Sequence, residues 1–270
     1  MSLDKDTLEP LLEACRDISI EAGDAIMDVY QSDFAVQHKD DKSPLTEADL
    51  AAHKIIDARL KALTPDWPVI SEEAATLPFE QRQKWETYWL IDPLDGTREF
   101  VKRNDEFTVN IALIHGHEVV LGVVYAPVLK ALYSAADGLQ AWRKKADGEQ
   151  EQIHCRPLDM QHLTLASSRS HGSEALQSFA KAIGPHESNP MGSSLKFCIV
   201  AEGNADLYPR LGLTSEWDTG AAQCVVEQAG GHVTKINMEP LRYNTKDSLL
   251  NPFFFVFGST WKDWSEYLEK

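Results

Sequence analysis

Two carboxylates three residues apart close an apolar run: Trp89-Leu90-Ile91-Asp92-Pro93-Leu94-Asp95-Gly96-Thr97. A buried strand that stops at Asp92, a rigid Pro93 and a Gly96 that permits a sharp turn let Asp92 and Asp95 converge on one point. An isolated Asp-Gly is ordinarily no more than a turn. Here further acids join it. Glu72 and Glu73 follow a second short apolar run, and Asp218 stands in Glu216-Trp217-Asp218-Thr219-Gly220-Ala221-Ala222, at the start of a small-residue helix. Taken singly, Asp218 is an ordinary helix cap and Glu72 an ordinary surface acid. Together, acids at the ends of strands and helices, flanked by aromatics, are what a hard cation needs, because oxygen ligands select Mg²⁺ or Mn²⁺. The nine histidines show no zinc spacing. Cys15, Cys155, Cys198 and Cys224 form no C-x-x-C pair and are expected as buried thiols.

Periodicity supplies the elements that must carry these acids. Leu8, Leu11, Leu12, Cys15, Ile18, Ala22, Ile26 and Val29 recur at helical spacing. A second helix starts at the capping-box-like Thr46-Glu47-Ala48-Asp49, with Leu50, Ile56, Leu60 and Leu63 as its apolar stripe, and ends before Pro65 and Pro68. Val69-Ile70, Tyr88 to Ile91, Phe107 to Ile114, Val119 to Tyr125, Leu129 to Ala135 and Leu139 to Arg143 read as strands, with a hairpin at His115-Gly116-His117-Glu118. Lys144 to Gln152 reads as an exposed loop. Beyond it come a strand at Leu163 to Ala166, helices at Ser173 to Ile183 and Ser193 to Glu202, a strand at Asp206 to Tyr208 and a helix at Thr219 to Ala229. A strand at Phe253 to Phe257 and a terminal helix carrying Trp261, Trp264 and Leu268 close the chain. The division expected is an N-terminal α+β half, 1–160, with most of the acids, and a C-terminal α/β half, 161–270. Over 270 residues the net charge is −16, which repels a phosphate polymer but not a small anion whose charge a metal offsets. The chain has neither a signal-peptide start nor an apolar run of membrane-spanning length, so a cytoplasmic protein is expected.

In their order, Asp41-Lys42-Ser43-Pro44-Leu45-Thr46-Glu47-Ala48-Asp49, Ser71-Glu72-Glu73, Asp92-Pro93-Leu94-Asp95-Gly96-Thr97 and Trp217-Asp218-Thr219-Gly220-Ala221-Ala222 resemble the Mg²⁺-dependent, lithium-sensitive inositol monophosphatase superfamily. The resemblance spans nearly the whole chain. It implies an α+β fold, the layered αβαβα sandwich of the sugar phosphatases. Carried over by motif, Glu72, Asp92 and the Leu94 carbonyl hold one metal, and Asp92, Asp95 and Asp218 a second. Two or three Mg²⁺ ions per site are implied, with Mn²⁺ as a substitute. Gly96 and Thr97 amides at a helix start bind phosphate oxygens. Thr97, with Asp49 or Glu72, orients a water for in-line attack on phosphorus, and no covalent intermediate is required. Asp49, three residues after Thr46, has a capping box as its competing role.

Ser167-Ser168-Arg169-Ser170-His171, Gly192-Ser193-Ser194-Leu195-Lys196-Phe197 and Asp206-Leu207-Tyr208-Pro209-Arg210-Leu211-Gly212 resemble the bacterial 3'(2'),5'-bisphosphate nucleotidase branch. That branch converts 3'-phosphoadenosine 5'-phosphate to AMP, and its sulfate analogue is a second expected substrate. Another phosphate calls for more cations and hydroxyls, which Lys196 and Arg169 with Ser193 and Ser194 could supply, while His171 could meet the ribose or base. The chain departs from the branch at Leu213, where Pro is usual, and in the order Gly220-Ala221-Ala222. Inositol monophosphatase and fructose-1,6-bisphosphatase activities are the rivals on the same fold. A non-enzymatic Mg²⁺- or lithium-binding module is the rival from another class. For the branch, peripheral attachment at the cytoplasmic face of the inner membrane is also implied.

Overall fold

The computed structural model describes residues 3–38, 44–75, 77–169 and 173–268. Helix α1 (Lys5–Tyr30) starts where the Asp4 side chain accepts from the Thr7 N–H, and it buries the stripe from Leu8 to Ile26. The paired strands β1 (Val36–His38) and β2 (Pro44–Thr46) lead into α2 (Glu47–Leu63). The capping box of α2 is formed, Thr46 with Asp49. Ala48, Ala52, Ile56 and Leu60 make its buried face, whereas Leu50 and Leu63, expected in the stripe, are exposed.

A seven-stranded sheet follows, built of β3 (Val69–Ser71), β4 (Thr87–Asp95), β5 (Thr108–His115), β6 (Glu118–Ala126), β7 (Ala131–Ala136), β8 (Ala141–Lys144) and β9 (Gln150–Gln152) in sequence order. Only β3 and β4 run parallel; the remaining neighbours are antiparallel. Short helices α3 (Phe79–Arg82) and α4 (Thr97–Val101) flank β4. The second half supplies β10 (Thr164–Ser167), α5 (Glu174–Ile183), β11 (Glu187–Pro190), α6 (Leu195–Ala201), β12 (Leu207–Arg210), α7 (Gly220–Gln228), β13 (His232–Lys235) and β14 (Phe254–Phe257). Its sheet has the order β11-β10-β12-β14-β13, parallel at β11-β10-β12 and antiparallel beyond.

Alternation along the strands sorts side chains between layers. On β4, Trp89 and Ile91 join the core under α1 and α2, while Tyr88 and Leu90 join the core around α6 and α7. On β14, Phe254 and Val256 face that same middle core, and Phe255 and Phe257 pack outward with Phe179 of α5 and Trp264. The result is five layers: α1 with α2, the first sheet, α6 with α7, the second sheet, and α5. This is the layered α+β sandwich expected from the resemblance. Helix α7 packs close to the sheet at Gly122, where an added Cβ would lie 2.1 Å from the Ala221 carbonyl oxygen.

Some elements depart from the sequence reading. Strand β4 does not stop at Asp92 but reaches Asp95 through an irregularity in its pairing with β5, which is where Pro93 is tolerated. Lys144 to Gln152 is not all loop, because β9 pairs with β8 there as an edge strand. The polar β11 and the short β13 have no counterpart among the strands expected from the sequence. The terminal helix is a single 3₁₀ turn, Trp264–Tyr267. All four cysteines are free and buried.

Candidate active site

Parallel pairing of β3 with β4 sets Ser71 beside Ile91, so Glu72, one residue past the strand, arrives next to Asp92. The Glu72 N–H still donates to the Ile91 carbonyl at 3.4 Å. Asp92 folds back to accept the Leu94 N–H at 3.1 Å. From the other side comes Asp218, in a 3₁₀ turn (Glu216–Asp218) ahead of α7, its carboxylate accepting the Ser215 N–H at 2.8 Å. One carboxylate oxygen each from Glu72, Asp92 and Asp218 lies within 4.8 Å of the others. Burial, then the charges of Glu72, Asp95, Asp218 and Asp49, hold the Asp92 carboxyl well above the ordinary carboxylate range. Burial and Asp95 raise Asp218 in the same direction. Acids that repel one another out of water are the donor set of a hard divalent cation, and Mg²⁺ fits it.

Asp95 is engaged from the opposite side. Its Oδ2 accepts from Ser194 Oγ at 2.7 Å and from Asn110 Nδ2 at 3.4 Å, and Asn110 also donates to Ser194 Oγ at 2.9 Å. Gly96 then turns the chain at φ +92°, a left-handed conformation that a side chain would strain, into α4. Thr97 Oγ1 lies 3.1 Å from Asp49 Oδ1 and 3.3 Å from the Leu94 carbonyl oxygen. The other Asp49 oxygen accepts both the N–H and the hydroxyl of Thr46 at 2.7 Å. The two roles weighed for Asp49 therefore coexist: one oxygen caps α2 and the other holds the Thr97 hydroxyl.

These groups open on a cavity of about 870 Å³. Glu72, Asp92, Leu94, Asp95, Gly96, Thr97 and Asp218 line one side of it, and Ser167, Ser168, Leu176, Tyr208, Arg210 and Leu213 are among those lining the other. Ser194 and Lys196 border an adjoining chamber of about 140 Å³. Lys196 is buried; its ammonium donates to the Ser193 carbonyl at 2.6 Å and the Met191 carbonyl at 3.4 Å and lies 5.5 Å from the Tyr208 ring centre. Burial lowers its pKa to about 8. Arg169 forks onto Glu106, with Nε at 2.9 and 2.8 Å from the two carboxylate oxygens and Nη2 at 2.6 Å from one of them. His171 and Asp41 to Ser43 lie outside the described residues.

Three residues of this neighbourhood were not singled out from sequence. Asn110 interrupts an otherwise apolar stretch, Val109-Asn110-Ile111, and a buried polar residue mid-strand is a usable signal. Arg210 lies within a quoted motif, but nothing in its spacing shows that it reaches the cavity. Glu106 has no local signature, since its partners are 63 and 86 residues away.

The inositol monophosphatase family model matches residues 7–266. The 3'(2'),5'-bisphosphate nucleotidase CysQ of Salmonella typhimurium (strain LT2) is 49% identical over 248 residues, 91% of this chain and 99% of that protein. The protein of the same name from Escherichia coli (strain K12) gives the same identity and coverage. Among solved structures, CysQ from Bacteroides thetaiotaomicron superposes with a TM-score of 0.81 at 37% identity, covering 93% of this chain and 98% of the other. The inositol monophosphatase of Thermotoga maritima, at 23% identity and a TM-score of 0.77, shares the fold.

Proposed function

The chain belongs to the inositol monophosphatase family, and from that premise we propose that it removes the 3'-phosphate of 3'-phosphoadenosine 5'-phosphate with Mg²⁺ and water. The observation that carries this reading is the placing of the Glu72, Asp92 and Asp218 carboxylates on one side of a single cavity together with Thr97, whose hydroxyl Asp49 holds from behind. Glu72, Asp92, Asp218, Asp95 and the Leu94 carbonyl would hold the Mg²⁺, two or three ions by the family pattern, and Mn²⁺ suits the same oxygens. When bound, Mg²⁺ offsets phosphate charge and makes water a better nucleophile at neutral pH.

The protein's own groups do the rest. The Thr97 hydroxyl donates a hydrogen bond to Asp49 Oδ1, which leaves the Thr97 oxygen lone pairs turned outward to accept from the attacking water. Asp49 holds that hydroxyl in place and is the eventual acceptor of the proton, with Glu72 the second acid beside the water. Amides of Gly96 and Thr97 take phosphate oxygens at the start of α4. On the far side, Arg210 lines the cavity and is the cation best placed for the 5' end; Ser194 and Lys196 border the adjoining chamber, and Arg169 and His171 follow Ser168 in sequence. The half spanning 1–160 thus supplies most of the metal site, and 161–270 supplies Asp218 and the nucleotide wall.

The relatives named nucleotidases, nearly half identical over 91% of the chain, support the nucleotide as substrate. We expect lithium to inhibit, through competition for the same oxygens, and a role in clearing a by-product of sulfur metabolism. Among the described residues no helix is long and apolar enough to cross a membrane; we propose a cytoplasmic enzyme. A panel of 3'-phosphoadenosine 5'-phosphate, inositol 1-phosphate and fructose 1,6-bisphosphate with Mg²⁺ tests the reading. The nucleotide should have the highest kcat/KM; preference for either sugar phosphate overturns it.

A further inference from the structure

We propose that Glu106 is a positioning residue: one buried carboxylate from the first half of the chain clamps two loops of the second half against the cavity. It lies between α4 and β5. Besides the fork from Arg169, its Oε2 accepts the Gly192 N–H at 2.7 Å. Arg169 directly follows Ser167 and Ser168, which line the cavity. Gly192 precedes Ser193 and Ser194, and the Ser194 hydroxyl reaches Asp95. The Gly192 loop is pressed onto the Glu106 backbone so closely that an added Cβ would meet the Glu106 carbonyl oxygen at 2.7 Å.

Bidentate guanidinium–carboxylate pairs fix orientation as well as distance. The Glu106 side chain is 11% exposed and that of Arg169 49%, so the acid is the anchored end and the arginine the end that is held. With its fork committed to Glu106, Arg169 acts on substrate through the placing of Ser167 and Ser168. The inference rests on the nucleotide reading only for which substrate the wall receives.

Glu106→Gln keeps an acceptor for Gly192 but ends the ion pair. Arg169→Ala ends it from the other side. Each variant should raise KM about tenfold, with kcat within about twofold of wild type and the melting temperature little changed. The double variant should be no worse than either single one, because both remove the same contact. Unchanged KM in Glu106→Gln overturns the proposal, as does a joint loss of kcat and melting temperature. So does an Arg169→Ala effect that far exceeds Glu106→Gln and adds to it, since Arg169 would then bind substrate itself. KM is read on whichever ester of the panel wild type turns over best. If that ester is not the nucleotide, the functional reading falls while the same comparison of variants still decides the role of Glu106.

Discussion

On one side of the cavity, Asp92, Asp95 and Asp218 are held by neutral donors, namely the Leu94 and Ser215 amides, Ser194 and Asn110. Beyond the cavity wall, Arg169 is forked onto Glu106, and the Lys196 ammonium, at the adjoining chamber, is bonded to two backbone carbonyls. The first side concentrates like charge out of water, which raises the free energy of the folded chain until cations enter. The second has satisfied its charges internally and so keeps its shape without a ligand. Removing a buried charge, Asp92 on the first side or Lys196 on the second, should therefore move stability in opposite directions.

Asp92→Asn should show this most strongly. It removes an acid at the centre of the cluster, and turnover should fall about a thousandfold or more. In chelator its melting temperature should rise above wild type, because the repulsion with Glu72, Asp95 and Asp218 is relieved. A near-normal rate removes Asp92 from the site. A lower melting temperature means that the carboxylate is stabilising where it lies, and the contrast between the two sides fails.

The same repulsion sets a pH dependence with a definite sign. Acids whose folded pKa is raised bind more protons in the native state than in the unfolded one. Their stabilisation is present at low pH and is lost as pH rises above the ordinary carboxylate range toward the raised value. The metal-free protein should accordingly melt higher at about pH 5 than at about pH 8. Around that pH Lys196 is itself releasing its proton, with a slope of the opposite sign. Glu216 and Glu227, each pushed up to about 7 by burial and neither among the proposed metal ligands, add slope of the sign that the acids give. The diagnostic quantity is therefore the Mg²⁺ effect: calorimetry should find a larger rise in melting temperature from Mg²⁺ at about pH 8 than at about pH 5. An equal rise at both would mean that the carboxyls are ionised throughout.

Lys196→Met tests the other side. The side chain keeps its length but leaves the Ser193 and Met191 carbonyls without their donor, so a loss of about 1–3 kcal/mol is expected. Urea titration should find that loss with and without Mg²⁺. A variant as stable as wild type would mean that desolvating the ammonium had already cancelled its bonds, and Lys196 would then belong with the strained groups.

Legibility in the sequence followed the range of the forces involved. The capping box at Thr46 and the stripe of α1 are local, so both were readable. The acid motifs were readable as well, because a strand end brings Asp92 and Asp95 together over a few residues. Strands β9 and β11 were not, since Gln150–Gln152 and Glu187–Pro190 are polar edge strands held by backbone pairing, which leaves no apolar alternation. Leu50 and Leu63 fit the period of α2 but lie outside the face that meets α1. The cations were the weakest reading. Sequence shows which chains carry charge, but whether Arg169 and Lys196 point at a ligand or at the protein depends on partners such as Glu106, which only the fold brings near.

Ser194 joins the two sides, and its removal should have the smallest effect. Its hydroxyl lies 2.7 Å from Asp95 Oδ2 and 2.9 Å from the Asp218 carbonyl oxygen, and it accepts from Asn110. One hydroxyl proton can serve one acceptor at a time, and the charged carboxylate is the stronger. Ser194→Ala would leave Asp95 with the longer bond from Asn110 and free to swing toward the metal ligands. The loss of one charge-assisted bond predicts a fall in kcat of about tenfold, with about 1 kcal/mol lost in stability. Ser194→Thr keeps the hydroxyl and should recover part of the rate. If Ser194→Ala instead raises KM and leaves kcat alone, Ser194 serves the nucleotide wall, and the boundary between the two sides runs between Asp95 and Ser194 rather than through them.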